Sequence, residues 1–308
     1  MTNSFSKIAI VGSGAIGLYY GARLALAGTD VRFLMRSDLA AVQARGSLLL
    51  QEKNGITELR PVAAFGSSGE IGPVDRVIVT LKTTANGELA RLLPPLLGPH
   101  TVIFTLQNGL GSDERLAALF GAERVMGGLA FIAATRTAPG EVTCLSPGRI
   151  TFGEFGRPAQ DRTHALAALL RNAGIKCLVV DKLGEARWGK LAWNIPFNGL
   201  SIAAGGITTD RICTDPALAA EVRALMIEVQ LAAAALGFNI TDEFLRGEFD
   251  GTPKLGAYRP SSLVDFLAGR EVEVEAIWGE PLRRAQAAGA DMPRLEKLYA
   301  SLQKLTAR

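Results

Sequence analysis

The chain has 308 residues, 48% of them hydrophobic and 20% charged, with a net charge of +3. That length supports two domains with separate cores, and the composition excludes extensive disorder. The small charge argues against a nucleic-acid binder, no apolar run is long enough to span a bilayer, and three scattered cysteines (Cys144, Cys177, Cys213) form neither a zinc motif nor a disulfide framework.

The first strand is expected at Ile8–Val11. It is followed by Gly12-Ser13-Gly14-Ala15-Ile16-Gly17 and a helical run from Ala15 to Ala27 that Gly28 stops. In a strand–turn–helix unit Gly12 allows the tight turn, Gly14 lets backbone approach a pyrophosphate, and Gly17 lets helix and strand pack closely. The helix N-terminus offers free N–H groups and a positive dipole end to phosphate. This pattern predicts a dinucleotide site. The chain reaches its first strand within a few residues, which leaves no room for a signal peptide, and free thiols suit a reducing compartment, so a cytoplasmic location is expected.

A second strand, Asp30 to Met35, should end beside the adenosine ribose. NAD would be met there by a carboxylate, whereas this sequence reads Arg36-Ser37-Asp38. A guanidinium pairs with a 2′-phosphate, so Arg36 predicts NADP, with a ribose contact from Asp38 as the competing reading. Residues 39–73 carry a helical segment, a hairpin around Glu52-Lys53-Asn54-Gly55 and a Gly/Ser-rich loop. Strands over Val74–Leu81 and Thr101–Leu106 then end in Lys82-Thr83-Thr84 and Gln107-Asn108-Gly109-Leu110-Gly111. Both ends fall at the carboxyl edge of an open sheet, where ligands bind. Lys82 suits a phosphate or carboxylate there. Asn108 suits a carbonyl oxygen or hydroxyl, or forms a plain turn with Gly109. Residues 124–155 read as an antiparallel extension of the sheet. A helix over Arg162–Ala173 and a strand over Ile175–Val180 complete a domain of residues 1–183.

Residues 184–308 read as all helical. Asp215-Pro216 starts a helix whose apolar face is Leu218, Val222, Leu225 and Val229 and which ends at Gly237. Another is expected from near Ser261 through much of the segment to Ala287, and a last one from Pro293 to Leu305. Lys190, Asn194 and Asn198 are spaced i, i+4, i+8, which stacks a cation and two amides on one helix face. That face suits a polar ligand, although Pro196 should kink the helix. Glu271, Glu273 and Glu275 alternate with valines and read equally as a charged helix face. His100 and His164 look structural or exposed, so a proton donor must come from Lys, Glu, Asp or Tyr. The cleft between the two domains is the default substrate site.

These landmarks together, from Gly12–Gly17 through Arg36, Thr80-Leu81-Lys82, Gln107–Gly111, Lys190-Leu-Ala-Trp-Asn194 with Asn198, and Ser261 to Glu273-Val-Glu275 with Gly279, give a chain that resembles the ketopantoate reductase family over nearly its whole length. The resemblance implies a Rossmann-type doubly wound α/β domain, a C-terminal all-helical domain, and NADPH-dependent reduction of 2-dehydropantoate to pantoate, a step in pantothenate synthesis, with no metal. It implies Lys190 as general acid and Glu273 as the residue that orients substrate and lysine. Asn194 and Asn198 would bind the substrate's hydroxyl end and Ser261 its carboxylate region, Ser261 being preferred to Ser262 because it keeps the segment through Glu273 ungapped. Asn108 would touch cofactor and substrate, while Arg36 and Lys82 join Gly12, Ser13, Gly14, Ala15, Ile16 and Gly17 on the cofactor. Two other readings remain: a reductase of a different 2-keto or 3-hydroxy acid, and a non-catalytic NADP(H)-sensing module, against which Lys190, Asn194 and Glu273 together speak. An Ala/Leu-rich helical domain is compatible with a homodimer.

Overall fold

Apolar strands alternating with helices can satisfy their backbone groups only by pairing side by side under a helical cover. The computed structural model describes residues 6–307 and shows that arrangement in the first half. The elements begin with β1 (Lys7–Val11), α1 (Ala15–Leu26), β2 (Asp30–Leu34), α2 (Leu39–Arg45), β3 (Leu48–Glu52), β4 (Gly55–Leu59) and β5 (Ala63–Phe65). There follow α3 (Ser68–Ile71), β6 (Val74–Val79), α4 (Leu89–Leu92), β7 (Leu97–Thr105), α5 (Ser112–Phe120), β8 (Val125–Ala138), β9 (Glu141–Glu154), α6 (Asp161–Asn172) and β10 (Cys177–Val179). One ten-stranded sheet results, in the order β4-β3-β9-β8-β7-β6-β1-β2-β5, with β10 on β9.

Neighbouring strands from β5 across to β8 are parallel. The strand-rich stretch expected at 124–155 is the long antiparallel pair β8–β9, turned at Gly140, whose φ of +69° a side chain would resist. The far ends of β9 take β3 and β10 as parallel partners. Ile8, Ile10 and Val11 are buried on both faces of the sheet, which is why β1 is continuously apolar rather than alternating. Helix α1 lies close enough to the sheet that a Cβ at Gly21 would sit 2.5 Å from the Phe33 ring.

The chain divides into two compact units. The sheet unit takes residues up to Gln107 and Ser112–Leu183, and the helical unit takes Gly184 onward together with Asn108–Gly111. The helical unit contains α7 (Leu183–Ala203), α8 (Thr209–Thr214), α9 (Pro216–Ala235), α10 (Asp242–Gly251), α11 (Ser261–Leu267), α12 (Glu280–Ala287) and α13 (Pro293–Thr306). Asp215 caps α9 by accepting from the Ala217 and Leu218 amides at 2.9 and 3.0 Å, and Val222, Leu225 and Val229 are buried as their spacing requires. Trp188 and Trp278 fill the centre, with the Trp278 indole N–H donating to the Ile195 carbonyl at 3.0 Å. Glu228 is buried because its two oxygens accept from the Arg294 and Leu295 amides at 2.9 Å, which satisfies the start of α13. Among the described residues no helix is long and apolar enough to cross a membrane.

Helix α7 runs from Leu183 to Ala203 with Pro196 inside it. One sequence expectation changes here. The helix expected from Ser261 towards Ala287 is interrupted: α11 ends at Leu267, Gly269 adopts φ +65°, and residues 270–273 are irregular before a π-turn over Glu275–Gly279 leads into α12. Gly269 supplies the left-handed stop, and the wider turn lies just ahead of Pro281, which has no N–H to offer a regular helix. Glu273 therefore lies in irregular backbone, not on a charged helix face.

Candidate active site

The three glycines after β1 are separable by what a side chain would meet. At Gly12, φ is +116° and a Cβ would stand 2.6 Å from the Leu81 nitrogen. At Gly17 it would stand 2.0 Å from the Gly12 carbonyl oxygen. At Gly14 it would meet nothing within 4 Å, so this glycine keeps an approach open rather than allowing internal packing. The first turn of α1 starts there, with Gly14 as N-cap and no side-chain cap, which leaves its amides for an anion. Thr80 secures the turn from the neighbouring strand, its hydroxyl donating to the Gly12 carbonyl at 2.7 Å. Residues and space both fit a pyrophosphate.

Past β2, the two candidates for the ribose separate. Arg36 is exposed, and its guanidinium makes no hydrogen bond or ion pair among the described residues. Asp38 is 0% exposed and fully committed: it accepts from the Ser37 hydroxyl and the Gly140 amide at 2.9 Å and pairs with Arg136. The ribose contact weighed for Asp38 is thus corrected, because its carboxylate clips the β8–β9 turn to the loop after β2. Lys82 is half-buried at the carboxyl edge, with its ammonium shielded from solvent. Gln107 joins that edge through a 2.7 Å bond from its Nε2 to Asn86.

In the helical unit the face foreseen on α7 is a polar row, half-buried at Lys190 and buried at Asn194 and Asn198. Lys190 Nζ donates to Asn108 Oδ1 at 2.9 Å, so Asn108 is a partner of the lysine as well as a turn former. Asn194 is buried and its amide makes no hydrogen bond among the described residues. Asn198, 1% exposed, accepts from the Ser262 amide at 3.0 Å, which leaves its NH2 group as the donor. Of the adjacent serines, Ser262 is buried on Asn198 and Ser261 is exposed at the start of α11. Glu273 is 9% exposed and acts on Lys190 through its charge.

Burial first, and the Arg187 guanidinium second, push the Lys190 ammonium down from its ordinary 10.5 to about 8, with the Glu273 carboxylate opposing. Lys190 thus keeps its proton at neutral pH and gives it up only slightly above, which suits a proton donor. Arg187 escaped the sequence reading because one arginine in a helix resembles a solvated residue. Its signal was the i−3 spacing to Lys190, which puts both cations on one helix face.

A separate cavity of about 680 Å³ in the sheet unit, lined by Asp75, Arg76, His100 and Arg124 among others, lies at the amino ends of β6 and β7, away from Gly12–Gly17. Its cations are engaged within the fold, Arg124 by the Gly98 and Thr101 carbonyls and Arg76 by Ser6. Among the described residues no group of three or more His, Cys, Asp or Glu could hold a metal ion.

Two family models match, described as ketopantoate reductase PanE/ApbA over residues 8–157 and its C-terminal part over 182–306. A 2-dehydropantoate 2-reductase of Nostoc sp. is 38% identical over 307 residues, which is 98% of this chain and 96% of that protein. The crystal structure of a 2-dehydropantoate 2-reductase from Geobacter metallireducens GS-15 is 44% identical with a TM-score of 0.94, covering 97% of this chain and 99% of that one. A ternary structure of D-mandelate dehydrogenase with NADH and anilino(oxo)acetate, at 20% identity and a TM-score of 0.89 over 97% of this chain and 98% of that one, is a likeness of fold alone.

Proposed function

The chain belongs to the ketopantoate reductase family of oxidoreductases, and from that premise we propose that it reduces 2-dehydropantoate to pantoate with NADPH, Lys190 delivering the proton. The observation that carries the reading is the half-buried Lys190, its ammonium aimed by Asn108 and lowered to about 8. Bound NADPH supplies the hydride for the ketone carbon. As charge develops on the ketone oxygen, an ammonium already hydrogen-bonded to it stabilises the alkoxide and gives up its proton. Glu273 holds the lysine charged near neutral pH by opposing burial and Arg187. The Asn194 amide and the Asn198 NH2 group take the substrate's hydroxyl end, and Ser261 its carboxylate.

On the cofactor side, the α1 amides and Gly12–Gly17 take the pyrophosphate, joined by Lys82. Arg36 takes the 2′-phosphate that distinguishes NADPH from NADH. With Asp38 committed to Arg136 and Gly140, no carboxylate from Arg36-Ser37-Asp38 competes for the ribose hydroxyls. The same reading places the enzyme in the cytoplasm, where Cys144, Cys177 and Cys213 stay reduced.

The test is NADPH consumption with 2-dehydropantoate beside a panel of other 2-keto acids. The reading expects the highest kcat/KM for 2-dehydropantoate. Turnover of another acid alone removes the substrate name and keeps the chemistry, whereas NADPH binding without turnover of any acid converts the protein to a sensor.

A further inference from the structure

Arg187 lies one turn ahead of Lys190 on α7, 4% exposed, with its Nη1 donating to the Gly109 carbonyl at 3.4 Å. The preceding loop residue, Asn108, accepts from Lys190. The following one, Leu110, donates its amide to the Ala276 carbonyl in the π-turn at 2.9 Å. Between them Gly109 adopts φ +74°, and a Cβ there would stand 2.2 Å from the Ala276 carbonyl oxygen. Three consecutive residues are thus fastened at three points, two of them on one face of α7.

We propose that Arg187 is a positioning residue for the reaction, clamping the Asn108–Gly111 loop to α7 so that Asn108 fixes the direction of the Lys190 ammonium. The inference rests on the proton-donor role proposed for Lys190. A buried guanidinium gives up hydration that only well-placed acceptors return, and placing it beside a second cation on one helix face is a further penalty. The penalty is useful if the arginine both aims the lysine and loosens its proton. The charged groups that act on the ammonium are Arg187 from α7 and Glu273 from the segment before α12, while Asn108 contributes a neutral dipole from the loop.

The experiment compares Arg187→Met and Arg187→Lys, each alone and with Asn108→Ala, after circular dichroism has confirmed folding. Arg187→Met should lower kcat about 10- to 100-fold, as expected for a misaimed catalytic group, and leave NADPH affinity unchanged. It should also move the alkaline limb of the kcat profile up by about one pH unit, because a repelling charge is gone. Arg187→Lys keeps a cation without the reach to Gly109, so kcat should fall about fivefold or more with the limb unmoved. In the Asn108→Ala background, Arg187→Met should add less than about a threefold loss, since coupled positions are not additive. Full activity of a folded Arg187→Met, additive losses, or an unmoved limb would each overturn the proposal. If Arg187→Met does not fold, Arg187→Lys decides, and its full activity overturns the proposal. Two readouts need no turnover: the titration of 13Cε-labelled Lys190 should rise in Arg187→Met, and the Leu110 amide should exchange faster. If no keto acid is reduced but these two move as stated, the clamp stands and the proposed reaction falls; if neither moves, the clamp falls whatever the reaction.

Discussion

Glu154 in the sheet unit and Lys190 in the helical unit are both ionisable groups drawn out of water, Glu154 fully and Lys190 in part, and the fold treats them oppositely. Glu154 is 0% exposed and over-satisfied: Arg162 Nε at 2.9 Å, the Thr163 hydroxyl at 2.7 Å and Arg157 all reach its two oxygens. Burial pushes its carboxyl up, but hydrogen bonds from Arg162 and Thr163 outweigh this and hold it below the usual range. Lys190 has the reverse balance, since burial and a neighbouring cation prevail over Glu273. A charge that serves architecture is surrounded until it cannot change state, whereas one that serves chemistry is kept ready to do so.

Substitution of Lys190 tests that contrast most sharply. Lys190→Met should lower kcat about 10³-fold, as removal of a general acid does, with NADPH affinity unchanged in a fluorescence titration. The same variant should unfold at higher temperature, because a folded-state value near 8 against 10.5 means the charged lysine opposes folding at neutral pH. The gain should be on the order of 2 kcal/mol in a denaturant titration. Unchanged or lower stability would break the comparison from the functional side. Glu154→Gln should do the opposite, losing roughly 2 kcal/mol by weakening the charged hydrogen bonds from half-buried Arg157 and Arg162, while kcat per folded molecule is retained.

Next in size, Arg36→Ala should weaken NADPH roughly 10- to 100-fold, the worth of charged hydrogen bonds to phosphate, and leave NADH unchanged. Equal losses for both would refute the 2′-phosphate assignment. A smaller effect sharpens the picture of Lys190 itself. Reduction needs the ammonium, so kcat should be flat at lower pH and fall about tenfold per unit once pH rises past about 8. Glu273 raises the lysine, so Glu273→Gln should start that fall at lower pH, by roughly one unit. A fall displaced upward would reverse the sign of its role.

What the sequence made legible was whatever depends on near neighbours. Gly12, Gly14 and Gly17 announced the turn and the start of α1 because each glycine answers a local steric demand. Lys190, Asn194 and Asn198 announced a helix face because 3.6-residue periodicity is local too. Residues whose meaning depends on distant partners were not legible. Asp38 looked available to a ribose until Arg136 and Gly140, about a hundred positions later, were seen to hold it. Arg187 looked ordinary until Gly109, 78 positions earlier, came beside it. The break after Leu267 was missed because the Glu-Val alternation through 271–275 fits a helix face and an irregular segment equally well. Gly269 was the cue.

The chain leaves the sheet unit for four residues, Asn108 to Gly111, which pack with the helices, and returns to it at Ser112. A gene fragment encoding only Gly184 onward would therefore make a helical body with a notch where those four belong, and its lysine would lack the amide that orients it. The two halves cannot be traded between proteins as interchangeable cassettes by cutting at a single point, because the seam crosses the chain three times.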